Sequence, residues 1–184
     1  RSMVLEYTQD RNCAYLEKQY MFGDSLLVAP IFNEDSKAIY YLPEGTWTHY
    51  LTGEKKIGGK WYEEDCGYLS IPVFVKENSL IAVGADTTKP DYDYAQDVTI
   101  KAYCLKEGEE ASTVVYGMDK NVETAVSVKK EARKIFIHVE AQKPCKVVLF
   151  DEHVESVDGA AWEMQDENCV VSLEKGGDVV CVCL

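Results

Sequence analysis

Nowhere in its 184 residues does the chain hold a run approaching the ~18 to 20 apolar residues of a membrane-spanning helix; charges break every apolar cluster within a few positions. A soluble chain is expected. Positive charge is scarce too: 19 Lys and Arg face 32 Asp and Glu, a formal net charge of −13. A phosphate backbone or an anionic membrane would be repelled at long range, so neither nucleic acid nor membrane is an expected partner, whereas a neutral sugar is compatible. There are only three histidines, far apart, and the seven cysteines show no Cys-x-x-Cys or Cys/His spacing, so no metal site is expected. A G-x-S-x-G elbow, a P-loop and a dinucleotide fingerprint are all missing, and with them any sign of a cofactor. So are an initiator Met and a signal-peptide pattern: the chain opens at Arg1, runs straight into Met3-Val4-Leu5 and reads as an excerpt.

What is present is 46% hydrophobic residues, enough to bury real cores in one large domain or two small ones. The seven cysteines (Cys13, Cys66, Cys104, Cys145, Cys169, Cys181, Cys183) are odd in number. Several fall on the apolar phase of alternating segments, as Cys104 does with Val98, Ile100 and Ala102, where a thiol behaves as a small buried hydrophobe. Reduced cysteines and a cytoplasmic location are the expectation.

Along the chain, residues 10–20 read as a short helix, with Asp10 able to cap it and Cys13, Leu16 and Tyr20 on one face. After Gly23 come brief runs rich in Val, Ile, Tyr and Thr between Gly, Pro, Asn and Asp clusters, the texture of an antiparallel sandwich. A first set of strands is expected at 25–30, 37–42, 46–51, 61–63, 69–75 and 79–83, turned by Pro43-Glu44-Gly45 and Thr52-Gly53-Glu54. The apolar pattern stops around 84–94, which suggests a linker at 87–94. Val98–Leu105 then alternates, and Ile135, Ile137 and Val139 alternate against Lys134, Phe136 and His138. Val179–Leu184 is apolar on both faces, as if buried on both. The fold class is mainly β, two tandem antiparallel β-sandwich domains after a short helical lead-in.

Side chains that could carry chemistry each have a bland reading beside the sharp one. His49, between Trp47 and Tyr50, is a possible sugar contact or an ordinary strand position; His138 reads as solvated and His153 as part of a turn. Glycoside hydrolysis needs two carboxyl groups facing one bond, about 5 to 5.5 Å apart in retaining enzymes. Glu63-Glu64-Asp65, Glu109-Glu110 and Asp151-Glu152 are sequence neighbours, which on a strand point to opposite faces, and they read as acidic turns. No catalytic residue is expected. Aromatic faces stack on sugars, and Trp47, Tyr50, Trp61, Tyr62 and Trp162 are candidates. Trp47 is either a core residue or, with Trp61, part of a sugar-stacking platform.

Gln19-Tyr20-Met21-Phe22-Gly23-Asp24-Ser25-Leu26-Leu27-Val28-Ala29-Pro30 resembles glycoside hydrolase family 31 where its catalytic barrel passes into the first C-terminal sandwich. The resemblance continues through Tyr41-Leu42-Pro43-Glu44-Gly45-Thr46-Trp47-Thr48-His49 and again through Ile71-Pro72-Val73-Phe74-Val75-Lys76-Glu77-Asn78-Ser79-Leu80-Ile81. Arg1-Ser2-Met3-Val4-Leu5-Glu6-Tyr7 looks like the last barrel strand in the version of bacterial α-xylosidases, α-glucosidases being second; Thr8 departs from the family's usual Pro.

The resemblance implies that residues 1–20 are the last strand and helix of a (β/α)₈ barrel, 21–86 a proximal sandwich and 95–184 a distal one. It implies a retaining α-glycosidase acting on terminal α-xylosidic or α-glucosidic bonds, whose nucleophile and acid/base lie on earlier barrel strands. This chain alone would then be inactive, bracing the upstream barrel, with a homo-oligomer expected. Asp24 matches a family position and reads as a structural turn. A carbohydrate-binding module and an oligomerisation scaffold are the alternatives; the latter predicts an exposed patch of Met3, Leu5, Leu16 and Phe22.

Overall fold

A computed structural model describes residues 1–174 and 176–184. Contacts divide the chain into two compact units, Arg1–Glu77 and Asn78–Leu184.

The opening of the first unit differs from the expected strand and helix. Met3–Glu6 form one α-helical turn (α1), closed by the Tyr7 N–H donating to the Met3 carbonyl at 2.9 Å. A strand satisfies its amides only with a partner alongside. Here the pairing stops at Ser2, bridged to Tyr20 through the backbone bonds between Arg1 and Met21, and the turn closes on itself instead. Residues 10–20 yield only a 3₁₀ turn, Arg11–Tyr15. Asp10 caps it, its carboxylate accepting from the Asn12 N–H at 3.0 Å, but Leu16 is already extended. The apolar stripe has one firm anchor: Cys13 is buried, Leu16 is half-buried, and Tyr20 belongs to a strand.

Seven strands follow: β1 (Tyr20–Phe22), β2 (Leu26–Val28), β3 (Lys37–Leu42), β4 (Thr46–His49), β5 (Lys55–Ile57), β6 (Lys60–Asp65) and β7 (Val73–Lys76). Five make an antiparallel sheet in the order β1-β2-β7-β4-β5, and β3 pairs with β6 as a two-stranded ribbon. Alternation along β3 sends Ala38, Tyr40 and Leu42 into a core with Met21, Leu27, Trp47 and Phe74. Tyr40 is its centre, 5.0 Å from the Phe74 ring and stacked at 5.7 Å on Tyr62. Glu63-Glu64-Asp65 lie on β6 and not in a turn; Glu63 pairs with Lys37 and Glu64 with Lys56.

The second unit holds β8 (Ser79–Val83), β9 (Thr99–Tyr103), β10 (Glu110–Tyr116), β11 (Val122–Glu131), β12 (Lys134–Ala141), β13 (Cys145–Leu149), β14 (Ser156–Asp158), β15 (Ala161–Gln165), β16 (Asn168–Leu173) and β17 (Gly176–Cys183). They form two five-stranded sheets, β10-β11-β12-β17-β14 and β15-β16-β13-β9-β8, antiparallel apart from the parallel pair β9 and β13. Ile135 and Ile137 on β12 lie in register with Val182 and Val180 on β17, all four fully buried.

Three expectations shift here. The strand 79–83, placed by sequence with the first sandwich, pairs along its whole length with β9 of the second unit. Residues 87–94 are not a free connector: the Tyr92 and Tyr94 rings meet edge-on at 4.9 Å, and Lys143 bridges Asp93 and Glu123. Nor is the last strand buried on both sides. Its neighbours in the sheet are β12 and β14, so alternation buries Val180 and Val182 and leaves Val179 exposed.

Candidate functional site

Turns of two motif segments, 41–49 and 71–81, meet beside Trp47. Its ring is fully buried on β4, and the indole N–H donates to the Pro43 carbonyl at 2.8 Å. Gly45 takes φ +119°, and the Thr46 N–H beside it donates to the Glu77 carboxylate at 2.9 Å. A side chain at Gly58 would place its first carbon 1.7 Å from the Pro43 oxygen, so only glycine lets the β5–β6 turn approach this closely.

Trp47 therefore cannot be a sugar platform: the site choosing between core and surface chooses core, because the largest ring fills the space between sheet and ribbon. Trp61, on β6, behaves differently. Half of its surface is exposed, and it leans on Tyr41 with ring centroids 5.5 Å apart and planes at 52°. The two tryptophans belong to different sheets and do not form a pair. Tyr62 is committed to stacking on Tyr40 and donates its hydroxyl to the Ile57 carbonyl at 2.8 Å. Trp162 lies in the second unit on the edge strand β15.

Tyr41 also borders an open groove of about 670 Å³ whose other walls include Gln9, Asp10, Arg11, Glu44 and Gly59. The tyrosine is fixed at both ends. Its hydroxyl donates to Asp10 at 2.8 Å, and its backbone N–H and C=O are both held by the Gln19 amide. Asp10 in turn accepts from the Asn12 backbone and side-chain nitrogens, so it is a scaffold for the groove rather than a free acid. Sequence reasoning missed this groove because its walls come from three separate segments of the chain.

A second polar cluster sits within the sheet side of the unit. Lys56 reaches over the Tyr40, Tyr62 and Phe74 rings, ion-pairs with Glu64 and donates to the Tyr40 hydroxyl at 3.1 Å. His49 meets the Phe74 ring edge-on at 5.1 Å, and its Nδ1 accepts from the Thr52 N–H at 3.2 Å. Burial, and then the charge of Lys56, lower the pKa of this histidine below its ordinary value. His49 is thus a strand residue, as one of its two readings has it, and is buried away from any sugar.

Asp24 is an exposed turn residue that ion-pairs with Arg1. Among the described residues, no group of three or more His, Cys, Asp or Glu could hold a metal ion, and no helix is long and apolar enough to cross a membrane. The seven cysteines are all free thiols.

Residues 1–81 match the glycosyl hydrolase family 31 C-terminal domain, and residues 93–184 match the family described as alpha-xylosidase YicI, C-terminal domain. Alpha-xylosidase XylQ of Lactiplantibacillus pentosus is 41% identical over 124 residues, covering 65% of this chain and 16% of that protein. Alpha-glucosidase 2 of Bacillus thermoamyloliquefaciens is 30% identical over 144 residues, covering 76% of this chain and 17% of its own. The chain thus spans less than a fifth of the length of these two relatives. In fold it is similar to a GH31 dextranase of Flavobacterium johnsoniae in complex with glucose, with a TM-score of 0.85 at 20% identity, over 100% of this chain and 29% of that one.

Proposed function

Because the chain belongs to glycoside hydrolase family 31, as the C-terminal part of such an enzyme, we propose that it braces the catalytic barrel of a retaining α-glycosidase that releases terminal α-xylosyl residues. α-Xylosidase precedes α-glucosidase in this reading because the second half matches a C-terminal domain described by that activity, as does the name of the XylQ relative. Retention by way of a covalent glycosyl-enzyme belongs to the same reading. The nucleophile and acid/base come from barrel strands that precede these residues.

The observation that carries the bracing role is the apolar surface at the start of the first unit. Leu5, Tyr15 and Phe22 are 70%, 92% and 66% exposed on and beside the motif Gln19–Pro30, although Met3 is buried as an anchor. Large apolar side chains grouped on a surface mark a contact with another protein body. The barrel is the body the family supplies. A homo-oligomer and a cytoplasmic location complete the proposal, the latter supported by seven unpaired thiols.

The test uses the full-length enzyme and an aryl α-D-xyloside. The enzyme should hydrolyse it and the 184-residue chain should not. Leu5→Asp together with Phe22→Asp should lower the thermal midpoint of the full-length enzyme while leaving KM in place. Hydrolysis by the chain alone above a contaminant control, or an unchanged midpoint in the double variant, would overturn the reading. An aryl α-D-glucoside preferred over the xyloside would move the assignment to the second activity.

A further inference from the structure

Four of the seven thiols, Cys13, Cys66, Cys145 and Cys169, are buried and act as small hydrophobes. Cys181 and Cys183 are placed differently. They alternate along β17 with Val180 and Val182, which fill the core, so both point to the outer face of the sheet, the face of the exposed Val179. Both are half-buried there. Register sets Cys183 between Lys134 of β12 and Ser156 of β14, and Cys181 between Phe136 and Asp158. The Cys181 thiol shares a hydrogen bond with Cys183. Two thiols in contact, on a strand paired along both edges, are a dithiol formed in advance.

A disulfide does not suit this pair. Two strand residues advance the backbone by about 6.6 to 6.8 Å, at the far limit of the Cα separation a disulfide tolerates, and the neighbouring strands oppose the bend that would close it. An atom bonded to each sulfur at about 2.3 Å needs them only about 4.6 Å apart, close to the contact distance of two thiols. Zinc takes four ligands, and among the described residues no group of three or more His, Cys, Asp or Glu could supply them. Copper(I) is soft, selects thiolates and, as a closed-shell ion, is satisfied by two of them in line. Charge agrees with this choice. Two thiolates and one Cu⁺ leave a single negative charge, offset by the Lys134 ammonium opposite Cys183, and the net charge of −13 draws cations to the protein. Burial pushes the Cys181 thiol up against the pull of Lys134, so it keeps its proton at neutral pH until a metal displaces it.

We propose that Cys181 and Cys183 form a two-coordinate site for a soft monovalent cation, copper(I). On binding, two S–H bonds break, two copper–sulfur bonds form and two protons pass to solvent, with no change of oxidation state. The site uses residues of this chain alone and stands apart from the glycosidase reading.

The test is an anaerobic titration of the reduced 184-residue chain against the copper(I) complex of bicinchoninate, read by loss of the chelate's colour. The chain should withdraw one equivalent of copper with its circular dichroism unchanged, and copper K-edge absorption should show two sulfur neighbours. Cys181→Ser and Cys183→Ser should each weaken uptake by at least about 100-fold, more than the loss of a supporting residue costs. Cys104→Ser, which removes another half-buried thiol, should leave uptake intact. The urea midpoint checks that the serine variants fold; where one does not, Cys181→Val or Cys183→Val removes the sulfur with a residue that favours strands. No uptake, uptake that survives Cys181→Ser combined with Cys183→Ser, or uptake only as the circular dichroism is lost and buried thiols are exposed, would overturn the site.

Discussion

The side-chain amide of Gln19 makes both hydrogen bonds to Tyr41 that an adjacent strand would make: its Nε2 donates to the Tyr41 carbonyl at 2.7 Å and its Oε1 accepts from the Tyr41 N–H at 2.8 Å. One buried side chain thereby completes the edge of β3 without a strand. It also links the motif that begins at Gln19 to the one that begins at Tyr41, which explains in physical terms why both are present in one sequence.

Removing that amide orphans two buried backbone groups. Gln19→Leu should destabilise the chain by roughly 2 to 6 kcal/mol, at about 1 to 3 kcal/mol for each buried polar group left unpaired. Urea denaturation monitored by circular dichroism measures this, and a loss below about 1 kcal/mol would mean the Tyr41 amide finds water instead.

The reverse change is available in the second unit. Thr124 is fully buried on β11 and its hydroxyl has no hydrogen-bond partner among the described residues. Thr124→Val keeps the shape and removes the stranded oxygen, so the urea midpoint should rise, with a gain on the order of 1 kcal/mol. A lower midpoint would show that the hydroxyl is satisfied in solution.

Two glycines separate backbone crowding from side-chain crowding. Alanine at Gly58 would meet the Pro43 carbonyl oxygen at 1.7 Å, with the Pro43 carbonyl carbon behind it at 2.7 Å. Alanine at Gly84 would meet the Tyr92 hydroxyl at the same 1.7 Å, but that oxygen is the far end of a side chain and can swing away. Gly58→Ala should therefore cost about 3 kcal/mol or more and Gly84→Ala distinctly less, compared by thermal melts of the two variants.

His49 sets a pH dependence. Its folded-state pKa is lowered by burial and by Lys56, so below the ordinary histidine value of about 6.5 the unfolded chain takes up a proton that the folded chain refuses. The stability tied to neutral His49 is complete above that value and is lost as pH falls from it towards the folded pKa. A proton on Nδ1 would also oppose the Thr52 N–H that points at it. His49→Gln should flatten this limb of the urea midpoint against pH; an unchanged slope would assign the effect elsewhere.

Much of the fold was legible because alternation and turn chemistry are local. Lys37–Leu42 and Ser79–Val83 appear as strands with the bounds the sequence suggests, and Ile135, Ile137 and Val139 face inward as their spacing requires. What escaped was pairing and placement. Nothing local shows that Ser79–Val83 pairs with Thr99–Tyr103, and the three-residue strands Tyr20–Phe22 and Lys55–Ile57 are too short for any period. The edge strand Ala161–Gln165, exposed throughout, gives no burial pattern to read. Trp47 could not be assigned to core or surface until its partner at Pro43 was known. The groove at Tyr41 is assembled by long-range contacts, so the sequence showed Asp10 only as a cap and Pro43-Glu44 only as part of a turn.

The pairing of Ser79–Val83 with the second unit bears on how such chains can be recombined. The family resemblance of the first half runs to residue 81, inside that strand, while the structural division falls between Glu77 and Asn78. A chimera joined where the resemblance ends would split one strand between two parents and leave Ala102 and Tyr103 beside a foreign edge. A crossover one peptide bond before Asn78 would carry the strand with its own sheet, together with the Asn78 side chain that accepts from the Lys106 N–H at 3.2 Å. The useful joint for exchanging these modules is therefore set by hydrogen bonding rather than by sequence likeness.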